Sequence, residues 1–116
     1  MSQLMKLTQF QKIAKALADP RRFEIFEKIA AGEEMCCGSI SGCFPVSQAT
    51  VSHHLKELAD AGLIEARCEG QFKYFSARRE VLAAYIEELT RRINGKTRAR
   101  LKTHGSSKAS TRVVRV

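Results

Sequence analysis

The chain has 116 residues, with 20 Lys plus Arg against 12 Asp plus Glu and a net charge of +8. That length supports one domain with one modest core and excludes separate cofactor and substrate domains. No apolar run approaches the ~20 residues of a membrane helix, and the start Met1-Ser2-Gln3-Leu4-Met5-Lys6 lacks signal-peptide features, so the expectation is a cytoplasmic chain with no membrane partner.

Leu7, Phe10, Ala14 and Leu17 recur at helical spacing and predict a first helix over about Leu7–Ala18 with those residues facing inward. Asp19 is a good cap and Pro20 a good first residue for a second helix, about Pro20–Ala31, which ends at Gly32. Phe23, Phe26, Ile29 and Ala30 are its expected inner face. A short helix over Met35–Cys43 follows, weakened by Gly38 and Gly42. Ser47 then caps a helix over about Gln48–Ala61, closed by Gly62. The period changes to that of strands at Leu63–Cys68 and Gln71–Ser76, joined through Glu69-Gly70 as a hairpin. A last helix spans Arg79–Ile93 with the apolar stripe Leu82, Tyr85, Ile86, Leu89 and Ile93, and Asn94-Gly95 should end it. The expected domain is residues 1–94. Seven of the eight net positive charges fall in 95–116, which contains no acid and too few large apolar residues to offset the entropy of ordering it. That tail reads as disordered, with a non-specific attraction for nucleic acid.

Helix, helix, short helix, helix, hairpin, helix is the order of a winged helix-turn-helix: mainly α, with a small β-hairpin wing. With Val51 at the centre of the buried face of the fourth helix, Leu55 and Leu58 stay within about 40° of it. Ser47, Gln48, Ala49, Thr50, Ser52, His53 and Lys56 then form an outward or flanking face that is small, polar and free of acids. Such a face suits a DNA major groove. Gln reads adenine, Ala and Thr methyls meet thymine methyls, and hydroxyls hold phosphate. The bland alternative is a solvated helix face; the neighbouring short helix and hairpin favour DNA. His54, about 60° from Val51, is expected to be packed and hydrogen-bonded rather than a base reader. On the hairpin, Arg67, Gln71 and Lys73 flank the tip and could reach phosphate, against repulsion from Glu69. Of Phe72, Tyr74 and Phe75, two are expected to pack on the helices rather than serve as stacking platforms.

Cysteines occur at 36, 37, 43 and 68. A cytoplasmic chain is not expected to join them in a disulfide framework. Cys68, alternating with Ile64 and Ala66, reads as packing. Three readings stay open: Cys36 and Cys43 as small core residues beside Ile40, or Cys36, Cys37 and Cys43 as a soft-metal or metalloid site such as As(III), or a redox-responsive thiol pair. Thiolates sharing a metal sit roughly 4 Å apart, whereas Cys36 and Cys43 on a continuous helix are separated by about 10 Å of rise. A shared site therefore needs the helix to unwind or a thiol from another chain. No nucleophile–base pair or Gly-rich phosphate loop is present, which argues against an enzyme.

Ala18-Asp19-Pro20-Arg21-Arg22-Phe23-Glu24-Ile25-Phe26, and above all the run from Ser47 through Val51-Ser52-His53-His54-Leu55 to Gly62-Leu63-Ile64, resembles the ArsR/SmtB family of bacterial winged-helix repressors, over about residues 7–93. The resemblance implies a homodimer on a palindromic double-stranded operator, with the first and last helices forming the dimer interface. Arsenic-sensing members carry Glu-Leu-Cys-Val-Cys-Asp-Leu-Cys where this chain has Glu34-Met35-Cys36-Cys37-Gly38-Ser39-Ile40-Ser41. Only Cys36 matches a ligand position. The Asp and His of the family's other metal site have no counterpart in 79–93. The competing function is a winged-helix protein-interaction module whose basic tail binds nucleic acid without sequence preference.

Overall fold

The computed structural model describes residues 5–104, with side chains through Gly95. The elements are α1 (Leu7–Ala18), α2 (Pro20–Ala31), β1 (Met35–Cys36), α3 (Cys37–Ser41), α4 (Gln48–Asp60), β2 (Ile64–Glu69), β3 (Phe72–Ala77) and α5 (Arg79–His104). Among the described residues no helix is long and apolar enough to cross a membrane.

One core joins the elements: Ile13 and Ala16 from α1, Ile25, Phe26 and Ile29 from α2, Ile40, then Val51, Leu55 and Leu58 from α4, with Leu63, Ile64 and Phe75. The helical periods are those expected, and Phe26 and Ile29 of α2 are buried as expected, but the buried face of α1 is rotated and α2 turns Ile25 rather than Phe23 inward. Leu7 and Phe23 are 50% and 41% exposed, while Ile13 and Ile25 are sealed. At 100° per residue, Leu7 and Ala14 lie about 100–120° round from Ile13, and Phe23 about 120° from Ile29. Each helix has more apolar residues than one face can bury, and the neighbouring helices select which side goes in. Capping of α2 follows expectation: Asp19 Oδ1 accepts from the Arg22 amide at 2.9 Å, with Pro20 first in the helix.

Three boundaries differ from the sequence reading. The expected helix over Met35–Cys43 is a two-residue strand followed by a five-residue helix. Met35 and Cys36 pair with Phe75 and Tyr74, so the hairpin becomes a three-stranded antiparallel sheet of order β1-β3-β2. That pairing is non-local, and it competes with a local helix already weakened by glycine. The hairpin is shifted by one residue: Glu69 pairs with Phe72 and the two-residue loop is Gly70-Gln71. Gly70 alone has positive φ (63°), the pattern of a type II′ turn, where glycine takes the first loop position. Finally, α5 does not stop at Asn94-Gly95 but continues to His104. Gly95 is not among the positive-φ glycines and does not act as a terminator. Residues 105–116 of the basic tail lie outside the described residues.

The α4 terminus leads directly into the wing. The Leu63 amide donates to the Leu58 carbonyl at 3.0 Å, and Gly62 turns the chain at φ +86°. α5 packs on α1. Phe10 and Tyr85 have ring centroids 5.1 Å apart, and the Arg92 guanidinium covers Phe10 at 4.8 Å. Glu88, 4% exposed, accepts from Arg91 at 2.6 Å; Arg92 Nε is 2.7 Å away but is an ion pair without hydrogen-bond alignment. The expected stripe of α5 divides: Leu82 and Tyr85 pack on the core, whereas Ile86, Leu89 and Ile93 are 55%, 40% and 64% exposed.

Candidate nucleic-acid interface

The arrangement of α4 follows from its two faces. Val51, Leu55 and Leu58 insert into the core, as their spacing requires, and hold the helix rigidly by one side. Ser47 caps the N-terminus, accepting from the Thr50 amide at 3.1 Å and donating to the Thr50 hydroxyl at 3.0 Å. Ser47, Gln48, Ala49, Thr50, Ser52, His53 and Lys56 are all exposed. No acid lies in the first turn, so the end of the helix that carries the positive dipole is open to a phosphate or a base edge. Lys56 is paired with Asp60 at 3.2 Å. A residue expected to contact DNA therefore has a standing partner.

His54 is buried, as expected, and its partner is one the sequence reading missed. Arg22 Nε donates to His54 Nδ1 at 3.4 Å. Burial lowers the pKa of His54 from the ordinary histidine value, with the Asp19 carboxylate pulling the other way. The His54–Arg22–Asp19 chain thus ties the middle of α4 to the start of α2. His53, one residue earlier, faces solvent.

Sequence alternation misled at two places on the wing. Ile64 is buried, but Ala66 and Cys68 are exposed, so Cys68 is not a packing residue. Past Ile64 every residue of β2 is exposed. Of the three aromatics only Phe75 joins the core; Tyr74 is half-buried and Phe72 is 52% exposed. Gln71 sits in the loop and Lys73 on β3, both exposed. Lys73 shares a cleft of about 460 Å³ with Ser52 and Lys56 of α4. Arg67 is not free: it is held by Glu34 at 2.9 Å and Glu69 at 2.8 Å. Glu34 was invisible as a partner because it is 33 residues away in sequence.

The thiols face different surroundings. Cys37 lines the cleft between α4 and the wing, while Cys43 lies in a separate groove with Arg21, Phe44 and Pro45. Cys43 is exposed, not a core neighbour of Ile40, and donates to the Ser39 carbonyl at 3.3 Å. Cys36 is half-buried at the start of α3, where the Ser39 and Gly38 amides lower its pKa against the effect of burial. Among the described residues no group of three or more His, Cys, Asp or Glu is placed to hold a metal ion. Cys37 and Cys43 of one chain thus line separate grooves.

Comparison with known proteins agrees with this geometry. Residues 17–67, from the end of α1 into the wing, match a family model described as a helix-turn-helix domain. The arsenical resistance operon repressor of Bacillus subtilis is 32% identical over 82 residues, covering 71% of this chain and 78% of that protein. An ArsR-like transcriptional regulator from Rhodococcus superposes with a TM-score of 0.73 at 25% identity, over 83% of this chain and 89% of that one. A homodimeric winged helix-turn-helix DNA-binding domain from Mycobacterium bovis superposes with a TM-score of 0.62 at 28% identity, over 79% of this chain and 85% of that one. The chain belongs to the ArsR/SmtB family of winged helix-turn-helix transcriptional regulators. These relatives regulate transcription and are not enzymes.

Proposed function

We propose that the chain is a sequence-specific repressor that binds a palindromic operator as a homodimer, using the N-terminal half of α4 to read the major groove. The supporting observation is that face itself: Gln48, Ser52 and His53 project to solvent from a helix anchored by Val51, Leu55 and Leu58. Residues 1–94 supply DNA binding and self-association, and the basic segment 95–116 adds non-specific attraction.

Self-association is supported by exposed apolar side chains on α1 and α5. Leu7 of α1 and Ile86, Leu89 and Ile93 of α5 are each 40% or more exposed. An apolar face of this kind on a small domain marks an interaction surface, and the M. bovis relative is homodimeric. Dimerisation places two α4 helices on one duplex and doubles the phosphate contacts of a folded part that carries little net charge.

The test is a mobility shift on the DNA upstream of the chain's own gene, against random DNA of equal length. Gln48→Ala, Ser52→Ala and His53→Ala should weaken operator binding more than random binding. Losses only with salt and removal of 95–116 would instead favour a protein-interaction module with a non-specific tail, and equal losses on both sequences would overturn sequence-specific reading by α4. Adding arsenite, zinc or peroxide to the same assay tests for an inducer.

A further inference from the structure

Arg67 is the one arginine of the wing, and its guanidinium is fully engaged within the fold. Nε and Nη2 donate to the two carboxylate oxygens of Glu34, both at 2.9 Å, and Nη1 donates to Glu69 at 2.8 Å. The Arg67 Cζ lies over the Tyr74 ring, 4.9 Å from the centroid. Sheet register explains the reach: Cys36, Tyr74 and Arg67 form one row across β1, β3 and β2. The side chain crosses over Tyr74 on the middle strand and grips the residue immediately before β1. The side-on fork to Glu34 is the geometry that arginine alone provides. Two carboxylates around one guanidinium leave a net negative charge at this spot, which repels phosphate.

We propose that Arg67 is a positioning residue, a strut that fixes the wing against the connection between α2 and β1, and that phosphate contact on the wing falls to Lys73. Lys73 is exposed, faces the cleft shared with Ser52 and Lys56, and pairs with no carboxylate among the described residues. The proposal rests on the DNA-binding reading for its second half only; the strut is a property of the free protein.

The experiment compares the full chain with Arg67→Ala, Arg67→Lys, Glu34→Gln, the Glu34→Gln/Arg67→Ala double variant and Lys73→Ala. Operator binding is measured over a series of salt concentrations, and amide hydrogen exchange of residues 64–77 is measured without DNA. Lys73→Ala should lower the salt slope by about one per chain and leave wing exchange unchanged. Arg67→Ala should speed exchange across the wing and weaken binding roughly two- to tenfold, with the salt slope unaltered. Arg67→Lys keeps the charge but loses the fork, so it should resemble Arg67→Ala. The double variant should be no worse than Arg67→Ala alone. A drop in salt slope on Arg67→Ala, unchanged wing exchange, or additive effects of the two single changes would overturn the strut. Absence of any operator preference in the unmodified chain would defeat the DNA-binding reading, and the exchange data would still decide the strut. Glu34→Gln, a near-isosteric change on the surface, reports on the strut should Arg67→Ala fail to fold.

Discussion

The N-terminal half of α4 and the wing both expose polar side chains, yet their states differ. Gln48, Ser52 and His53 stand outside any ion pair among the described residues and are free to form new contacts. Arg67 is as exposed as they are, but it is already gripped by Glu34 and Glu69. Exposure therefore does not by itself identify a DNA contact. A side chain must also have unused hydrogen-bonding capacity and a favourable local charge.

The strongest way to probe this contrast is to remove the support beneath α4. Leu58→Ala should cost about 2–5 kcal/mol of folding stability, read as a fall in thermal midpoint, because Leu58 is sealed in the core. Phe72→Ala at the wing tip, where the ring is 52% exposed, should change the midpoint little. Next in size, Gln48→Ala should lose roughly 1–3 kcal/mol of operator discrimination with stability nearly intact, measured by competition between operator and random DNA. Smaller again is the cap: Ser47→Ala should destabilise the fold by about 0.5–2 kcal/mol, since it removes the acceptor for the Thr50 amide.

The smallest effect is a pH slope. The folded-state pKa of His54 lies below the ordinary value of 6.5, chiefly through burial. Its contribution is therefore fully present above about pH 6.5, where the unfolded histidine is also neutral. It is lost progressively as pH falls from there through the lowered folded-state value. Unfolding curves between pH 7.5 and pH 5, with the range chosen around the ordinary histidine value of roughly 6.5, should show stability falling with acidification. His54→Gln should flatten that slope. An unchanged slope would mean that burial of His54 does not favour the neutral ring.

The recognition helix was legible because its information is local. A cap at Ser47, apolar residues at Val51, Leu55 and Leu58, and a glycine stop at Gly62 are all written within sixteen positions, and the structure uses each one. The wing was half legible. Its turn glycine and strand-forming residues announced a hairpin, but the register slipped by one because Glu69-Gly70 and Gly70-Gln71 are both acceptable two-residue loops. The thiol-bearing segment was the least legible. Whether Met35 and Cys36 are helix or strand depends on an edge of β3 that lies nearly forty residues onward.

The amino-acid order alone determined the helical periods, the caps, the outward chemistry of α4 and the family, since hydrophobic repeat and hydrogen-bond capping act between residues a few positions apart. Only the tertiary structure decided which side of α1 is buried, that Ile25 rather than Phe23 enters the core from α2, and which apolar residues of α5 are exposed. It also decided that the thiols diverge and that Arg67 is tied to Glu34. Those outcomes arise from contacts between distant segments, where several local solutions are nearly equal in energy and packing or ion pairing selects one.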